Sequence, residues 1–171
     1  VFVKAIIHVL KKSCNKINII IIGDGTLYKE ALNLCNNSGF KNNFTFLKSI
    51  PHNEVLDYHS VSDIYVSANK DGNLINTNLE AISSNACMVI PEPQKKKQID
   101  IQTDKFLKHS VLYYKVEDVN DLAKKIMFLL NSPDNILKYK NKIAKSKVKF
   151  MKTWKKRVSE EVRILENLAR K

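Results

Sequence analysis

Cysteine is scarce in this chain, and its three copies, Cys14, Cys35 and Cys87, are odd in number and widely spaced. No C-x-x-C pair occurs, and the four histidines take no metal-ligand spacing. A disulfide framework and a zinc site are thereby excluded, which leaves the cysteines as small apolar residues of a reduced, cytosolic chain. Glycine is equally rare, with four residues. None of them builds a G-x-x-x-x-G-K-[ST] phosphate loop or a G-x-S-x-G elbow, so a nucleoside triphosphatase lacks its cradle and a hydrolase its nucleophile. No apolar run approaches the roughly 20 residues that span a bilayer, and the chain is expected in solution. Val1-Phe-Val-Lys-Ala-Ile-Ile7 has neither an initiator methionine nor a signal-peptide layout. We expect it to be an internal stretch of a larger protein, with further sequence before Val1.

What is present is enough for one well-packed domain: 171 residues, 44% of them hydrophobic. The net charge of +12 is uneven, because residues 133–171 carry 13 Lys and Arg against four Asp and Glu. Such a tail could attract nucleic acid or an anionic membrane surface. Only Tyr139, Phe150 and Trp154 fall among the basic residues, too few aromatics to line a base-stacking surface, so the lysines read as solvated faces of two amphipathic helices and nucleic acid is not an expected partner. Lys95-Lys-Lys97 takes the same reading.

Hydrophobic spacing gives the order of elements. Val3, Ile6, Ile7 and Leu10 predict a helix over residues 1–12. Ile17-Asn-Ile-Ile-Ile-Ile22, apolar on both faces, fits a central strand of a parallel sheet. Gly23-Asp-Gly25 breaks it, and a helix runs from Thr26 to about Asn37 with Gly39 as its C-cap. Phe44–Leu47 is the next strand, and residues 51–60 the next helix, with Pro51 in its first turn. Strand 63–67, helix 76–85, strand 86–90 and a weaker strand over 111–114 follow. Three helices close the chain: 118–131 with Val119, Leu122, Ile126 and Leu129 on one face, a second opened by Ser132 and Pro133, and a third capped by Thr153. The third carries an apolar stripe of Trp154, Val158, Val162, Leu165 and Ala169. Alternating strands and helices predict an α/β domain, a Rossmann-like parallel sheet flanked by helices, with ligands bound at the carboxyl ends of the strands.

Two loops open on that edge. Gly23-Asp-Gly25 would need a third glycine at Tyr28 and an acid after the next strand to hold a dinucleotide. That strand ends in Phe46-Leu47-Lys48, so NAD is disfavoured, and the turn either touches a ligand or merely links strand to helix. The second loop, Asp71-Gly-Asn-Leu-Ile-Asn-Thr-Asn-Leu-Glu-Ala81, opens into a helix whose free amides and positive dipole end suit a phosphate or diphosphate without a metal. Glu80, one turn in, either points back toward hydroxyls of the same ligand or is an ordinary surface acid near a helix start.

The ordered set Ile22-Gly-Asp-Gly25, Phe46-Leu-Lys-Ser-Ile-Pro-His-Asn-Glu-Val55, Tyr58 with Ser62-Asp-Ile-Tyr-Val-Ser67, Asn76 with Leu79-Glu-Ala81, and Trp154 resembles the C-terminal half of group-one glycosyltransferases. These are retaining, family-four enzymes with the GT-B fold. The resemblance covers nearly the whole chain. It implies a single Rossmann-like domain over residues 1–171, truncated at its N-terminus, that binds a nucleoside-diphosphate sugar as substrate, with no cofactor and no metal. By position, Glu80 resembles the second glutamate of the family's paired-acid motif, which holds the donor's ribose hydroxyls. Asn73, Leu74, Ile75, Asn76 and Thr77 match the loop and helix start whose amides meet the diphosphate and sugar. Ile50 lies where the base is lined, and Gly23 and Gly25 lie near the site. The first glutamate's position is Gly72; Asp71 beside it would take that catalytic contact with the sugar if the loop carries one inserted residue. Asn85 stands where a helix-capping glycine is usual, and can adopt the same left-handed backbone.

A separate acceptor domain, and a strand whose Arg and Lys face the diphosphate, would precede Val1. Lys70 is the nearest cation in this chain to substitute. Residues 154–171 resemble the helix that crosses back to that N-terminal domain. The family further implies a cytoplasmic location, with peripheral membrane contact at the cytoplasmic face and a glycan or lipid-linked acceptor. Two other classes stay open: a degenerate, non-catalytic nucleotide-binding module, favoured by Gly72, and a basic nucleic-acid-binding α/β protein, favoured only by the charge.

Overall fold

The computed structural model describes residues 1–69, 74–94 and 105–170. Helix α1 spans Phe2–Lys12, strand β1 Ile19–Ile22, α2 Tyr28–Asn36 and β2 Phe44–Leu47. A 3₁₀ turn at His52–Glu54 runs into α3, Val55–Val61, followed by β3, Ile64–Val66. Then come α4, Asn76–Ser83, β4, Cys87–Pro91, and β5, Leu112–Tyr114. The chain ends in α5, Val119–Leu130, α6, Pro133–Phe150, and α7, Trp154–Ala169.

All strand pairs are parallel, as the alternation of strands and helices predicts, but the strands form two sheets rather than one: β1-β2 and β3-β4-β5. Strand β4, with a strand on each edge, is sandwiched on both faces. Cys87 and Val89 pack with α1, β1 and α5 in one apolar core. Met88 and Ile90 face a second core built with Ala81, Ile82 and, from α6, Ile143. Five consecutive buried residues result. The expectation that β1 is central is corrected. Ile19 is buried, whereas Ile20 and Ile22 are 44% and 42% exposed, and β1 bonds only to β2. Its sequence suits burial on both faces, but among the described residues nothing covers the second face or the second edge.

Several element ends follow the residues that mark them. Asn85 takes φ 55, the left-handed conformation expected of it, and its amide returns to the Ile82 carbonyl at 3.1 Å. Thr153 Oγ1 accepts from the Lys156 amide, and Asp118 Oδ1 accepts from the Asp121 amide at 2.9 Å. Three ends differ from expectation. Asn37 closes α2, and Gly39 turns left-handed (φ 80) two residues later. Pro51 stands before the 3₁₀ turn rather than inside a helix. Ser132 opens α6 through its carbonyl, which accepts from the Asn135 amide, and makes no side-chain cap.

Two lysines of α6 also do more than face solvent. Lys140 Nζ donates to the carbonyl of Ser62 just past α3 (3.4 Å), and Lys147 Nζ to that of Ser83 at the end of α4 (2.7 Å). A cation at a helix carboxyl end offsets its dipole and its orphan carbonyls. One helix thereby braces two others. On α7, Val158, Val162 and Leu165 are 38%, 47% and 65% exposed, so these residues of the stripe read from the sequence lie uncovered. Among the described residues no helix is long and apolar enough to cross a membrane.

Candidate functional site

The site begins where strands end. Gly23 carries the β1–β2 ladder one step further, its amide donating to the Leu47 carbonyl at 2.9 Å, and turns at φ 140, a conformation that disfavours any side chain. The Gly25 carbonyl then accepts from the Tyr28 amide to start α2. A Cβ on either glycine would meet nothing within 4 Å, so space for an approaching backbone does not explain them. No hydrogen bond or ion pair among the described residues joins them to α4. Beside this turn the Tyr28 ring packs edge-on against Phe46 at 5.6 Å, with Lys48 Nζ 5.9 Å from the Tyr28 ring centre. Ile50, half-buried, follows on the way to Pro51.

The other half of the site is the start of α4. Ile75 is extended (φ −102, ψ 168), and its carbonyl accepts from the amides of Asn78 and Leu79. The Leu79 bond is the first of the helix ladder, and the Asn78 bond engages one of the amides that a helix start leaves open. Those of Asn76 and Thr77 have no backbone partner among the described residues, and both residues are exposed. Leu74 packs with Tyr65 and Leu79 on the second core. Asp71 and Asn73 lie outside the described residues, as do Lys70 and Gly72.

One turn further in, the Glu80 side chain is 20% exposed, and His52 Nδ1 stands 3.7 Å from its Oε1. The contact joins the loop after β2 to the helix after β3, so the carboxyl ends of the two sheets meet here. Tyr65 forms the floor. Its hydroxyl donates to Asn78 Oδ1 at 2.8 Å and lies 3.1 Å from Thr77 Oγ1. His59 packs edge-on against the Tyr65 ring at 5.1 Å. Burial pushes the Tyr65 phenol up and the His59 imidazole down from their ordinary pKa values, the latter partly offset by the Glu80 charge. Tyr114, 2% exposed and pushed up to about 12 by burial, donates to the Ser67 carbonyl at 2.9 Å and pins the chain where it leaves β3.

Of the residues singled out in the sequence, the structure gathers Ile75, Asn76, Thr77 and Glu80 at one helix start, with Ile50 two residues before the histidine that reaches Glu80. No motif in the sequence singles out a role for His52, His59, Tyr65 or Asn78. A signal for Asn78 was available: with Ala81 and Ile82 it forms the buried face of α4, where a polar residue needs a partner. The histidines carry no such mark. Chemically the arrangement offers an anion two amides and a helix dipole, and offers hydroxyl donors an accessible carboxylate one turn away. Among the described residues no three His, Cys, Asp or Glu side chains gather to hold a metal.

Comparison with curated proteins gives no match. Solved structures do match. The C-terminal domain of a glycosyl transferase group 1 family protein (LpcC) from Francisella tularensis is 19% identical with a TM-score of 0.73, over 89% of this chain and 78% of that one. The catalytic domain of the Helicobacter pylori cholesterol-alpha-glucosyltransferase is 22% identical with a TM-score of 0.69, over 88% of each chain. Anabaena Alr3699/HepE in complex with UDP is 14% identical with a TM-score of 0.73; the match takes in 98% of this chain but 44% of that one. These likenesses establish the fold as that of GT-B carboxyl-terminal domains. Residues 1–149, most of the chain, match the family described as glycosyl transferases group 1, and the chain belongs to that family.

Proposed function

We propose that this chain is the donor-binding half of a retaining, family-four glycosyltransferase and holds a nucleoside-diphosphate sugar at the start of α4. The observation that carries the reading is the Glu80 carboxylate, open on one side, one turn from the amides of Asn76 and Thr77. A diphosphate on those amides places the ribose within reach of Glu80. Ile50 lines the base, Leu74 and Ile75 shape the sugar end, and Asn73 adds a further contact from the loop. Asp71 takes the catalytic contact with the sugar. Gly23 and Gly25 shape the rim. UDP is the nucleotide held by the HepE structure, which makes it the first to try here.

As the sugar–phosphate bond breaks, negative charge builds on the leaving diphosphate, and prepositioned amides and the helix dipole stabilise it without a metal. Loss of one such donor costs about 3 kcal/mol, roughly a hundredfold in rate. The reading also gives the bare edges of β1 and β3 an occupant: a strand that precedes Val1 and joins the two sheets, giving the 3-2-1-4-5-6 order of doubly wound folds. An acceptor-binding domain before that strand would cover the α7 stripe. Contact with a membrane face and a glycan or lipid-linked acceptor belong to that longer protein.

The test is donor turnover. Residues 1–171 alone are expected to transfer no sugar. Joined to the upstream strand and acceptor domain, the chain is expected to turn over, and to lose at least tenfold with Glu80→Gln or Asp71→Asn. Turnover that survives both substitutions overturns the site assignment. Gly72, standing where the family's first glutamate is expected, favours a second reading as a non-catalytic nucleotide module; nucleotide binding with no turnover in the longer protein would establish it.

A further inference from the structure

We propose that His52 is a positioning residue for the ribose: it holds the Glu80 carboxylate in the orientation that accepts both sugar hydroxyls, and so sets the preference for ribonucleotides over 2′-deoxyribonucleotides. The inference rests on the reading of Glu80 as the ribose-binding group.

Glu80 has three rotatable side-chain bonds, and a carboxylate left to itself samples many directions; fixing a rotamer-rich side chain costs roughly 0.5–1.5 kcal/mol when a ligand must do it. Around this carboxylate the structure offers unequal neighbours. His59 and Tyr65 form a half-buried, uncharged wall: their rings pack on each other, and burial disfavours the charged form of both. His52 faces Oε1 at 3.7 Å and is the only ion-pair partner of Glu80 among the described residues. At that distance the contact is one of charge proximity, and a small swing of the exposed imidazole brings Nδ1 into hydrogen-bond range. An imidazole can present an N–H there when charged, and when neutral in the Nδ1-protonated tautomer.

The His52 side chain is itself 89% exposed, so it has almost no packing role to lose. It also comes from the loop after β2, two residues beyond Ile50, and ties the segment assigned to the base to the group assigned to the ribose. A residue so placed acts on the ligand through Glu80 and not through the stability of the domain.

The experiment measures dissociation constants for UDP and 2′-deoxy-UDP by amide shifts, on the wild-type chain, His52→Ala, His52→Gln, Glu80→Ala and the His52→Ala/Glu80→Ala double variant. Unchanged amide spectra away from the site establish that each variant is folded. The wild type is expected to prefer UDP. His52→Ala should narrow that preference by roughly two- to tenfold, the span of the ordering cost it removes. His52→Gln, which keeps an N–H donor, should retain most of it. In the Glu80→Ala background, removal of His52 should change nothing further. If Glu80→Ala abolishes the preference while His52→Ala weakens both nucleotides equally, or neither, the role of His52 is overturned and the ribose reading stands. If Glu80→Ala leaves the preference intact, both fall.

Discussion

Strand β1 is four isoleucines, and strand β4 is Cys-Met-Val-Ile-Pro, yet β4 is buried throughout while β1 leaves every second residue exposed. The more apolar strand is the worse protected one. Burial follows from what stands on either side. β4 has a strand on each edge and a core on each face; β1 has β2 on one edge and a core on one face. The same side chain therefore carries different energy in the two sheets.

The largest expected effect tests this directly. Ile90→Ala, at a residue 5% exposed, should cost about 2–5 kcal/mol in chemical denaturation, and Ile22→Ala, 42% exposed, well under half of that. Equal costs would break the comparison. A rise in the cost of Ile22→Ala once upstream sequence is attached would sharpen it, by showing that β1 has gained a neighbour.

Next is the turn that feeds β4. Asn85 holds φ 55, and its Oδ1 is buried with no hydrogen-bond partner among the described residues. Asn85→Ala is expected to lose about 1 kcal/mol to left-handed backbone strain. Asn85→Gly is expected to be neutral or stabilising, read from the same denaturation midpoints.

A smaller effect separates the wall of the site from its rim. Burial holds the His59 pKa below its unfolded value. Above about pH 6.5 both states are neutral and nothing is lost; as pH falls below it, the unfolded chain takes up a proton that the folded chain resists, so stability drops. The melting temperature should fall from pH 7.5 to 5.5, and His59→Gln should remove part of that fall. Glu80→Gln should enlarge it, because the Glu80 charge favours protonation of His59.

The smallest expected change is none at all. Cys87 is fully buried in β4, and burial pushes its thiol up to about 12. A thiol reagent at pH 8 should modify exposed Cys14 at once and leave Cys87 untouched until unfolding.

Much of this arrangement is legible in the residues, because it depends on neighbours in sequence. The spacing of Leu122, Ile126 and Leu129 gives α5, the Thr153 hydroxyl gives the start of α7, and Asn85 gives the left-handed turn. The position of Glu80, one turn into a helix after a polar loop, is likewise local. The split of the sheet is not, because the apolar pattern of Ile19–Ile22 records suitability for burial and not the presence of a covering strand. Nor is the meeting of His52 with Glu80. It depends on two loops, each closing a different sheet, arriving at one place, and no periodicity in either segment reports it.

The central claim is that the start of α4 and Glu80 hold a nucleoside diphosphate. An amide-resolved NMR titration of the chain with UDP, repeated on Glu80→Ala, tests it most directly. Saturable shifts confined to residues 70–81, the loop around Ile50 and His52 and the Gly23–Gly25 rim, weakened at least tenfold by the substitution, are the expected result. Shifts elsewhere, or shifts at α4 that Glu80→Ala leaves unchanged, would contradict it.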